Sequence, residues 1–358
     1  MSLNSDHAFK FGCGRYIQEK NAIGKYLAAE AKRAGTKAFV LCGNNGYKAA
    51  HEKIDHALTE AAFPYQYHLF HSTCCLENAD ELAEEIRKGG FDLVIGVGGG
   101  VLMDTAKLTA DRAGAAIITI PTSSATCAAF TPHSVMYDRR SGATIGSLKL
   151  MRELDACIAD LEVLVRQPAR LFCAGVMDSM AKKIEIEHRY DPENCILGLD
   201  YAHTVAEMLY DQLDTRTEEV LRDMENGVIS DAFERLIFDI IPVTGVVNGL
   251  SKGSNQSAVA HRFYEECRSF FYDETKDFLH GELVALGLLV QLSYTGSDPA
   301  PVLRKLEHMK LPVCLSDIGV PLSGAAVFER ELCRSSAIRD ESDSTRKRMH
   351  EALEIIVR

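Results

Sequence analysis

Short apolar runs alternate with amphipathic patterns through the first half of the chain. Polar and apolar residues repeat with the helical period between several of these runs, as in residues 76–89. The runs of strand length are KAFVLC (37–42), YQYHLF (65–70), FDLVIGV (91–97), AAIITI (115–120) and DACIAD (155–160). Such alternation of strands and helices predicts a mostly parallel sheet with helices on both faces.

The pattern changes after Pro168. Long amphipathic stretches follow and runs of strand length become scarce, which predicts an all-helical region. We therefore expect two domains, an α/β domain over residues 1–165 and a helical domain over residues 166–358. The stretch SKGSNQS (251–257) is rich in serine and glycine and predicts a loop or a break between helices.

The composition argues against several classes of protein. The 358-residue chain has a formal net charge of -12 and no long basic run, which argues against a nucleic-acid partner. No apolar run reaches the roughly 18 residues of a membrane span, and the start, MSLNSDHAFK, lacks the regions of a signal peptide. The 11 cysteines include no CxxC pair, which is typical of reduced thiols. We expect a cytoplasmic protein that does not bind membranes.

Three glycines separate a buried strand from a helix in VIGVGGGVLMDTAK (94–107). Gly98–Gly100 would let backbone amides approach a pyrophosphate, and the following helix N-terminus adds partial positive charge. We expect Asp104 in the first turn of that helix, where a carboxylate favours the helix dipole. However, Val101 stands where the common dinucleotide fingerprint has its third glycine. A strand-to-helix turn with a capping aspartate is therefore an open alternative.

A second polar segment, residues 120–138, follows the next apolar run and is expected to form a loop. Its hydroxyl side chains would lie at the carboxyl end of the sheet, where open α/β sheets bind ligands. These residues are Thr122, Ser123, Ser124 and Thr126. Hydroxyl-rich loops are common for structural reasons, so the position next to the glycine turn is what favours a ligand site.

The helical half carries a candidate metal site. Asp178 is expected near the start of one helix, His261 within a second, and His280 at the head of an apolar third. Two histidines and a carboxylate can bind a divalent metal and leave coordination positions open for a substrate. Each residue alone has a simpler interpretation, because a single aspartate can cap a helix and a single histidine can satisfy a local hydrogen bond.

These motifs, in this order, resemble the iron-containing alcohol dehydrogenase superfamily in its glycerol dehydrogenase-like branch, and the resemblance covers nearly the whole chain. The matching segments are GRYIQEKNAIGKYL (14–27), the GGGxxxDxAK turn, the PTxxxT loop, SVMY (134–137), the AGxxD segment, Ala260-His261 and the HGExVAxG helix. The combination is far more specific than any one motif.

The resemblance implies a dehydroquinate synthase-like fold. A nucleotide-binding domain, a helical domain and a cleft between them would hold NAD(P)H and a metal. The metal ligands would be Asp178, His261 and His280, with zinc usual in this branch and iron in relatives. The cofactor-binding positions would be Asn44, Gly98, Gly99, Gly100, Asp104, Thr122, Ala125, Thr131, His133 and Tyr137. A small-molecule substrate and a homo-oligomeric assembly are also implied.

The chain departs from the family pattern at four positions. Cys127 replaces an aspartate that helps glycerol-specific members bind the polyol, and Asn44 replaces an acid that binds the adenosine ribose. Val101 and Tyr264 replace a lysine and a histidine. A neutral Cys127 removes a charge that would repel an anionic substrate, and Asn44, with Lys48 nearby, would tolerate a 2′-phosphate.

The segment PTSSATCAAFTPHSVMYD (121–138) is most similar to the hydroxycarboxylate dehydrogenases, which reduce 2-oxo acids and favour NADPH. We therefore predict an NAD(P)H-linked, metal-dependent oxidoreductase that converts 2-oxo acids to 2-hydroxy acids. Cys127 would face the substrate. The alternatives are an NAD-dependent glycerol or polyol dehydrogenase and a non-catalytic nucleotide-binding protein. Branches acting on glycerol 1-phosphate or making dehydroquinate would need more basic residues at the substrate site.

Overall fold

The computed structural model describes residues 9–191, 193, 197–252 and 258–357. The strands are β1 (Tyr16–Glu19), β2 (Ala38–Cys42), β3 (Tyr65–Leu69), β4 (Leu93–Gly98), β5 (Ala116–Pro121), β6 (His133–Tyr137), β7 (Thr144–Lys149) and β8 (Ala156–Asp160). Helices between the strands are α1 (Ala22–Ala34), α2 (Asn44–Glu60), α3 (Leu76–Gly89) and α4 (Gly100–Ala113).

Helices make up the second half of the chain. They are α5 (Leu161–Leu164), α6 (Ala169–Arg189), α7 (Leu199–Glu225), α8 (Asp231–Phe238), α9 (Thr244–Ser251), α10 (Val259–Phe270), α11 (Tyr272–Thr275), α12 (His280–Thr295), α13 (Ala300–His308), α14 (Ala325–Arg334) and α15 (Asp343–Leu353). Within the described residues, none of these or the earlier helices has the length and apolarity that crossing a bilayer requires.

Six strands form one parallel sheet in the order β1-β8-β5-β4-β2-β3. Every residue of β2, β4, β5 and β8 is buried, as expected for strands covered on both faces. The chain leaves β2 toward β3 at one edge and leaves β4 toward β5 in the opposite direction. This reversal places a crevice at the carboxyl ends of β2 and β4, where open α/β sheets bind their ligands.

Helix α12 forms the centre of the helical half and packs against α6 and α10. It carries no apolar stripe because it is apolar on all sides, and its residues are buried from Gly281 to Gln291. The helix is therefore enclosed by its neighbours, and its first residue, His280, is held at the junction of the three helices.

The structure confirms the parallel sheet and the helical second half, and it corrects some details. Residues 120–138 are not all loop, because β6 lies within them and pairs antiparallel with β7 in a separate two-stranded sheet. Asp178 lies in the middle of α6 and not near its start, because the helix already begins at Ala169. The predicted loop at 251–257 lies outside the described residues from 253 onward.

Candidate active site

A cleft of about 850 Å³ opens at the carboxyl edge of the sheet. Segments that follow β2, β4, β5 and β8 form its walls, together with the start of α6 and Leu279. Among the predicted cofactor positions, those that line the cleft are Asn44, Gly98, Gly99, Gly100, Thr122 and Ala125. The cleft therefore lies at the crevice that the strand order creates, and the glycine turn forms part of its wall.

The glycines let backbone segments approach one another around the cleft. Helix α4 begins at Gly100, with Gly99 as its N-cap. A Cβ atom on Gly46, in the first turn of α2, would lie 2.4 Å from the backbone oxygen of Val97, so any larger residue would force α2 away from β4. The first turns of α2 and α4 thus stay beside the strand ends, where helix N-termini favour an anion.

Four of the predicted cofactor positions do not line this cleft within the described residues: Asp104, Thr131, His133 and Tyr137. Asp104 was expected in the first turn of α4, and that expectation is wrong because α4 has no acidic residue in its first turn. The Asp104 carboxylate instead forms a buried ion pair with Lys107, at 2.8 Å. Burial raises the pKa of Asp104, and the Lys107 charge opposes that rise.

Lys107 fixes the segment that follows β5. Its side chain is fully buried, and its amine donates to the backbone oxygens of Ala128, at 2.8 Å, Thr131, at 3.1 Å, and His133. A buried ammonium needs such acceptors. This amine therefore holds three backbone oxygens of the 127–133 segment in place.

Three helices bring together the predicted metal ligands. Oδ1 of Asp178 on α6 lies 3.4 Å from Nε2 of His280 on α12 and 3.8 Å from Nε2 of His261 on α10. One ligand atom from each residue lies within 4.8 Å of the other two. The structure thus brings together three side chains that are far apart along the chain.

Glycines on α12 allow this approach. A Cβ on Gly281 would lie 1.9 Å from the backbone oxygen of Ala174 on α6, and one on Gly287 would lie 2.7 Å from that of Ala260 on α10. Real Cβ atoms do not come so near to a backbone oxygen. The two glycines of the HGExVAxG motif therefore let α12 lie directly against the helices that carry the other two ligands.

Neighbouring side chains orient both histidines. Nδ1 of His261 lies 2.5 Å from Oε1 of the fully buried Glu185, so this nitrogen carries the proton and Nε2 keeps a lone pair. At the head of α12, Glu282 accepts a hydrogen bond from the backbone N–H of Leu279 at 2.8 Å and pairs with Arg170 at 2.6 Å. These contacts fix the first turn of α12 and, with it, His280.

The donor set suits a divalent metal. A carboxylate oxygen and two imidazole nitrogens are ligands of zinc and of iron, and burial lowers the pKa of His280, which keeps its ring neutral. The His280 side chain is 28% exposed whereas Asp178 and His261 are 5% exposed, so the cluster is open on one side. Three protein ligands with an open side leave room for a substrate atom. Asp178, His261 and His280 are therefore suited to hold a divalent metal ion.

Lys182 also belongs to this cluster, and the sequence analysis missed it. Its Nζ lies 2.9 Å from Oδ1 of Asp178 and 3.5 Å from Nε2 of His261. Burial favours the neutral amine, but the charges of Asp178 and Glu185 outweigh it and raise the pKa of Lys182. The i, i+4 and i+7 spacing of these residues on one helix was a signal that could have found the contact.

The same contacts determine the state of Asp178. Burial alone would raise the pKa of its carboxyl, but the Lys182 charge and a hydrogen bond with His280 hold that pKa well below its ordinary value. Because Asp178 is ionised, it can act as a metal ligand or as a partner of a cation.

Cys127 is a neutral thiol within range of the charges of the donor cluster. Its side chain is buried, and Nδ2 of Asn248 lies 3.3 Å from its sulfur. Burial, followed by the nearby charge of Asp178, raises the pKa of Cys127 to about 11. The Tyr264 ring packs edge-on against His280 with ring centroids 4.3 Å apart, and Tyr264 stands where the family pattern has a second histidine.

The chain is similar to one family model and to curated dehydrogenases. The model of the family "Iron-containing alcohol dehydrogenase" matches residues 13–160. Hydroxycarboxylate dehydrogenase A of Escherichia coli K12 is 30% identical over 307 residues, which cover 84% of this chain and 82% of that protein. Glycerol dehydrogenase of Thermotoga maritima is 29% identical over 316 residues, 86% of this chain and 84% of that protein.

Solved structures agree with the fold. A probable glycerol dehydrogenase from Sinorhizobium meliloti superposes with a TM-score of 0.82 at 25% identity and covers 98% of both chains. A glycerol dehydrogenase from Schizosaccharomyces pombe gives a TM-score of 0.81 at 22% identity, covering 98% of this chain and 90% of the other. These similarities confirm the two-part architecture expected from the sequence.

Proposed function

The chain belongs to the iron-containing alcohol dehydrogenase family, and we propose that it reduces 2-oxo acids to 2-hydroxy acids with a nicotinamide cofactor. It is an oxidoreductase that acts on alcohol groups, as its relatives are. In the proposed direction, hydride passes from the reduced nicotinamide to the carbonyl carbon, and the carbonyl oxygen takes up a proton, so the products are a hydroxy acid and the oxidised cofactor.

The observation that carries this proposal is that Cys127 is a neutral thiol within range of the charges of the donor cluster. A carboxylate at this position would repel the carboxylate of a substrate, and a buried site of low dielectric would strengthen that repulsion. Cys127 remains protonated because burial raises its pKa to about 11. The site therefore accepts an anionic substrate without a like charge at this position.

We propose that Asp178, His261 and His280 hold a divalent metal, with zinc favoured over iron by the resemblance. When bound there, the metal supplies Lewis-acid polarisation of the carbonyl group. The chain's own residues prepare the site: Glu185 keeps the proton of His261 on Nδ1, and Glu282 caps the helix that begins with His280.

We propose that the cleft at the carboxyl edge of the sheet binds the cofactor. The amino ends of α2 and α4 border it and favour the negative pyrophosphate. Asn44 and Lys48 line the part of the cleft next to α2. A neutral amide and a cation tolerate a 2′-phosphate that a carboxylate would reject, which supports use of NADPH.

Turnover with different substrates and cofactors tests the proposal. The zinc-supplemented protein would be mixed with NADPH or NADH and with 2-oxoglutarate, oxaloacetate or dihydroxyacetone, and the loss of reduced-cofactor absorbance measured. We expect turnover with an oxo acid and faster turnover with NADPH. If the protein turned over only dihydroxyacetone with NADH and no oxo acid, both the proposed substrate class and the interpretation of Cys127 would be contradicted.

A second candidate is an NAD-dependent glycerol or polyol dehydrogenase. The similarity to glycerol dehydrogenases of known structure favours it, whereas Cys127 and Asn44 argue against it. A non-catalytic protein would neither contain a metal nor bind added zinc, so metal analysis of the purified protein separates that alternative. Light scattering of the purified protein would test a homo-oligomer, which we propose from the resemblance.

A further inference from the structure

Lys182 places an amine among the atoms that would bind the metal. It lies one helical turn after Asp178 on α6, and its side chain is 1% exposed. Its Nζ contacts Oδ1 of Asp178 and Nε2 of His261, at 2.9 and 3.5 Å. A buried cation therefore lies among the side chains that would hold the metal, within reach of a substrate that approached that metal.

This amine has hydrogen-bonding capacity left. An ammonium has three N–H groups, and within the described residues Lys182 has only one short contact, with Asp178, and one long contact, with His261. Lys107, the other buried lysine near Cys127, differs because Asp104 and three backbone oxygens surround its amine. Lys182 can therefore bind a further acceptor, whereas Lys107 cannot.

Lys182 also lies within electrostatic range of Cys127, the residue whose neutral thiol is proposed to favour an anionic substrate. The charge of Lys182 acts on the thiol of Cys127, and Asp178 acts on both. A substrate that contacts Cys127 therefore comes within range of the Lys182 charge. The long, flexible stem of lysine lets the amine turn from Asp178 toward such a ligand while α6 stays in place.

The charges of the site balance only with an anionic ligand. The buried carboxylates of Asp178 and Glu185 carry two negative formal charges and Lys182 carries one positive charge, so a divalent metal leaves one positive charge in excess. One substrate carboxylate neutralises it directly, whereas a polyol does so only after it loses a proton and becomes an alkoxide. Because unbalanced buried charge is costly, this arrangement favours a carboxylate.

We propose that Lys182 is the specificity-determining cation that binds the carboxylate of the substrate. This inference rests on the proposed function, because it assigns the cation that a 2-oxo acid requires. In the site, Lys182 would bind the substrate carboxylate, while a metal held by Asp178, His261 and His280 would supply Lewis-acid polarisation of the carbonyl group. The ammonium therefore acts on binding and orientation and takes no part in the hydride transfer.

A pair of ligands that differ in charge tests the role of Lys182. Pyruvate and its amide, pyruvamide, have similar shapes, but only pyruvate carries a carboxylate. In the zinc-loaded enzyme we expect Lys182→Met to lower kcat/KM for pyruvate about 10- to 100-fold, mainly through KM, as for the loss of a charged hydrogen bond. Turnover of pyruvamide should fall less than turnover of pyruvate, because its neutral amide oxygen accepts a weaker hydrogen bond from the ammonium than a carboxylate does.

Binding of oxamate, a carboxylate that cannot accept hydride, gives a readout apart from activity. Calorimetric titration of the zinc- and NADP-loaded protein should show the same loss of affinity in Lys182→Met and in Lys182→Gln, with zinc content unchanged. Lys182→Arg keeps the charge and should retain most of the binding. Lys183→Met is the matched control, because Lys183 is the next residue on α6 and pairs with Glu187 outside the site.

The outcomes separate the inference from the proposed function. Equal losses for pyruvate and pyruvamide, unchanged oxamate binding, or loss of zinc from Lys182→Met would overturn the role of Lys182. A wild-type enzyme that reduces dihydroxyacetone and no oxo acid would overturn the proposed function, while oxamate titration would still report whether Lys182 binds a carboxylate.

Discussion

Replacing Asp178 by asparagine should strongly destabilise the metal-free protein. The change keeps the size of the side chain and removes the negative charge that lies 2.9 Å from Nζ of Lys182, in a pair whose side chains are 5% and 1% exposed. At this distance and an effective dielectric constant of about 20, the attraction is on the order of 6 kcal/mol. The remaining charge of Glu185 offsets part of the loss, so we expect a cost of about 3–5 kcal/mol, as for other broken buried pairs.

The same helix offers a matched control. Lys183 and Glu187 form another i, i+4 pair at 3.4 Å, with side chains that are 26% and 43% exposed. Glu187→Gln removes one charge from this pair, and we expect a cost of about 0.5 kcal/mol or less because water screens it. Both variants remove the carboxylate charge from an i, i+4 pair with lysine on the same helix. The order of acid and lysine is reversed between the pairs, an effect of only a few tenths of a kcal/mol, so burial is the main difference.

Urea unfolding of the chelator-treated proteins, followed by circular dichroism, measures both costs. The double variant Asp178→Asn, Lys182→Met should recover much of the lost stability, because it leaves no unpaired charge. Equal costs for Asp178→Asn and Glu187→Gln would refute the reasoning. So would a double variant that is as unstable as Asp178→Asn alone, because the cost would then not come from an unpaired lysine.

Three other changes test the substrate site, the helix packing and a half-buried carboxyl. Cys127→Asp should lower kcat/KM for 2-oxo acids about 100-fold. The carboxylates of the new aspartate and of the substrate, about 5 Å apart, would repel each other by about 3 kcal/mol. Unchanged selectivity in the turnover assay would contradict the role of Cys127. Gly281→Ala should cost about 2 kcal/mol or more and lower the zinc content, because its Cβ would lie 1.9 Å from a backbone oxygen of α6; full zinc occupancy by elemental analysis would contradict this. Burial and nearby carboxylates raise the pKa of Glu266 to about 7, so wild-type stability should fall as pH rises from 4.5 through 7. Glu266→Gln should remove this loss of stability at high pH. The melting temperature of the variant should therefore exceed that of the wild type by more at pH 8 than at pH 5.5. An equal difference at the two pH values would contradict the raised pKa of Glu266.

The strands and helices of the sheet domain could be predicted because local sequence patterns determine them. The predicted run at 91–97 became β4 (Leu93–Gly98), and the pattern at 76–89 became α3 (Leu76–Gly89). The first is a nearly continuous apolar run of strand length, the second has the helical period, and glycine follows both. The β6–β7 hairpin was missed because β7 has no buried residue and therefore lacks a strong apolar run.

The predicted positions within helices were less reliable than the helices themselves. Asp104 was expected in a first turn but pairs with Lys107 further along α4, and Asp178 was expected near a helix start but lies in the middle of α6. An aspartate can cap a helix or pair with a lysine at i+3 or i+4. The choice depends on where the helix begins, which is the least certain part of a pattern.

Most of the strands and helices, the glycine turn, the family resemblance and the candidate ligands could be inferred from the amino-acid sequence. That Asp178, His261 and His280 meet, and that Lys182 lies among them, became visible in the folded chain. The hydrophobic period and the helix caps depend on burial and hydrogen bonds between residues that are near each other in the sequence. The meeting of α6, α10 and α12 depends on how their backbones pack through Gly281 and Gly287, and the charge balance of the site follows from that packing.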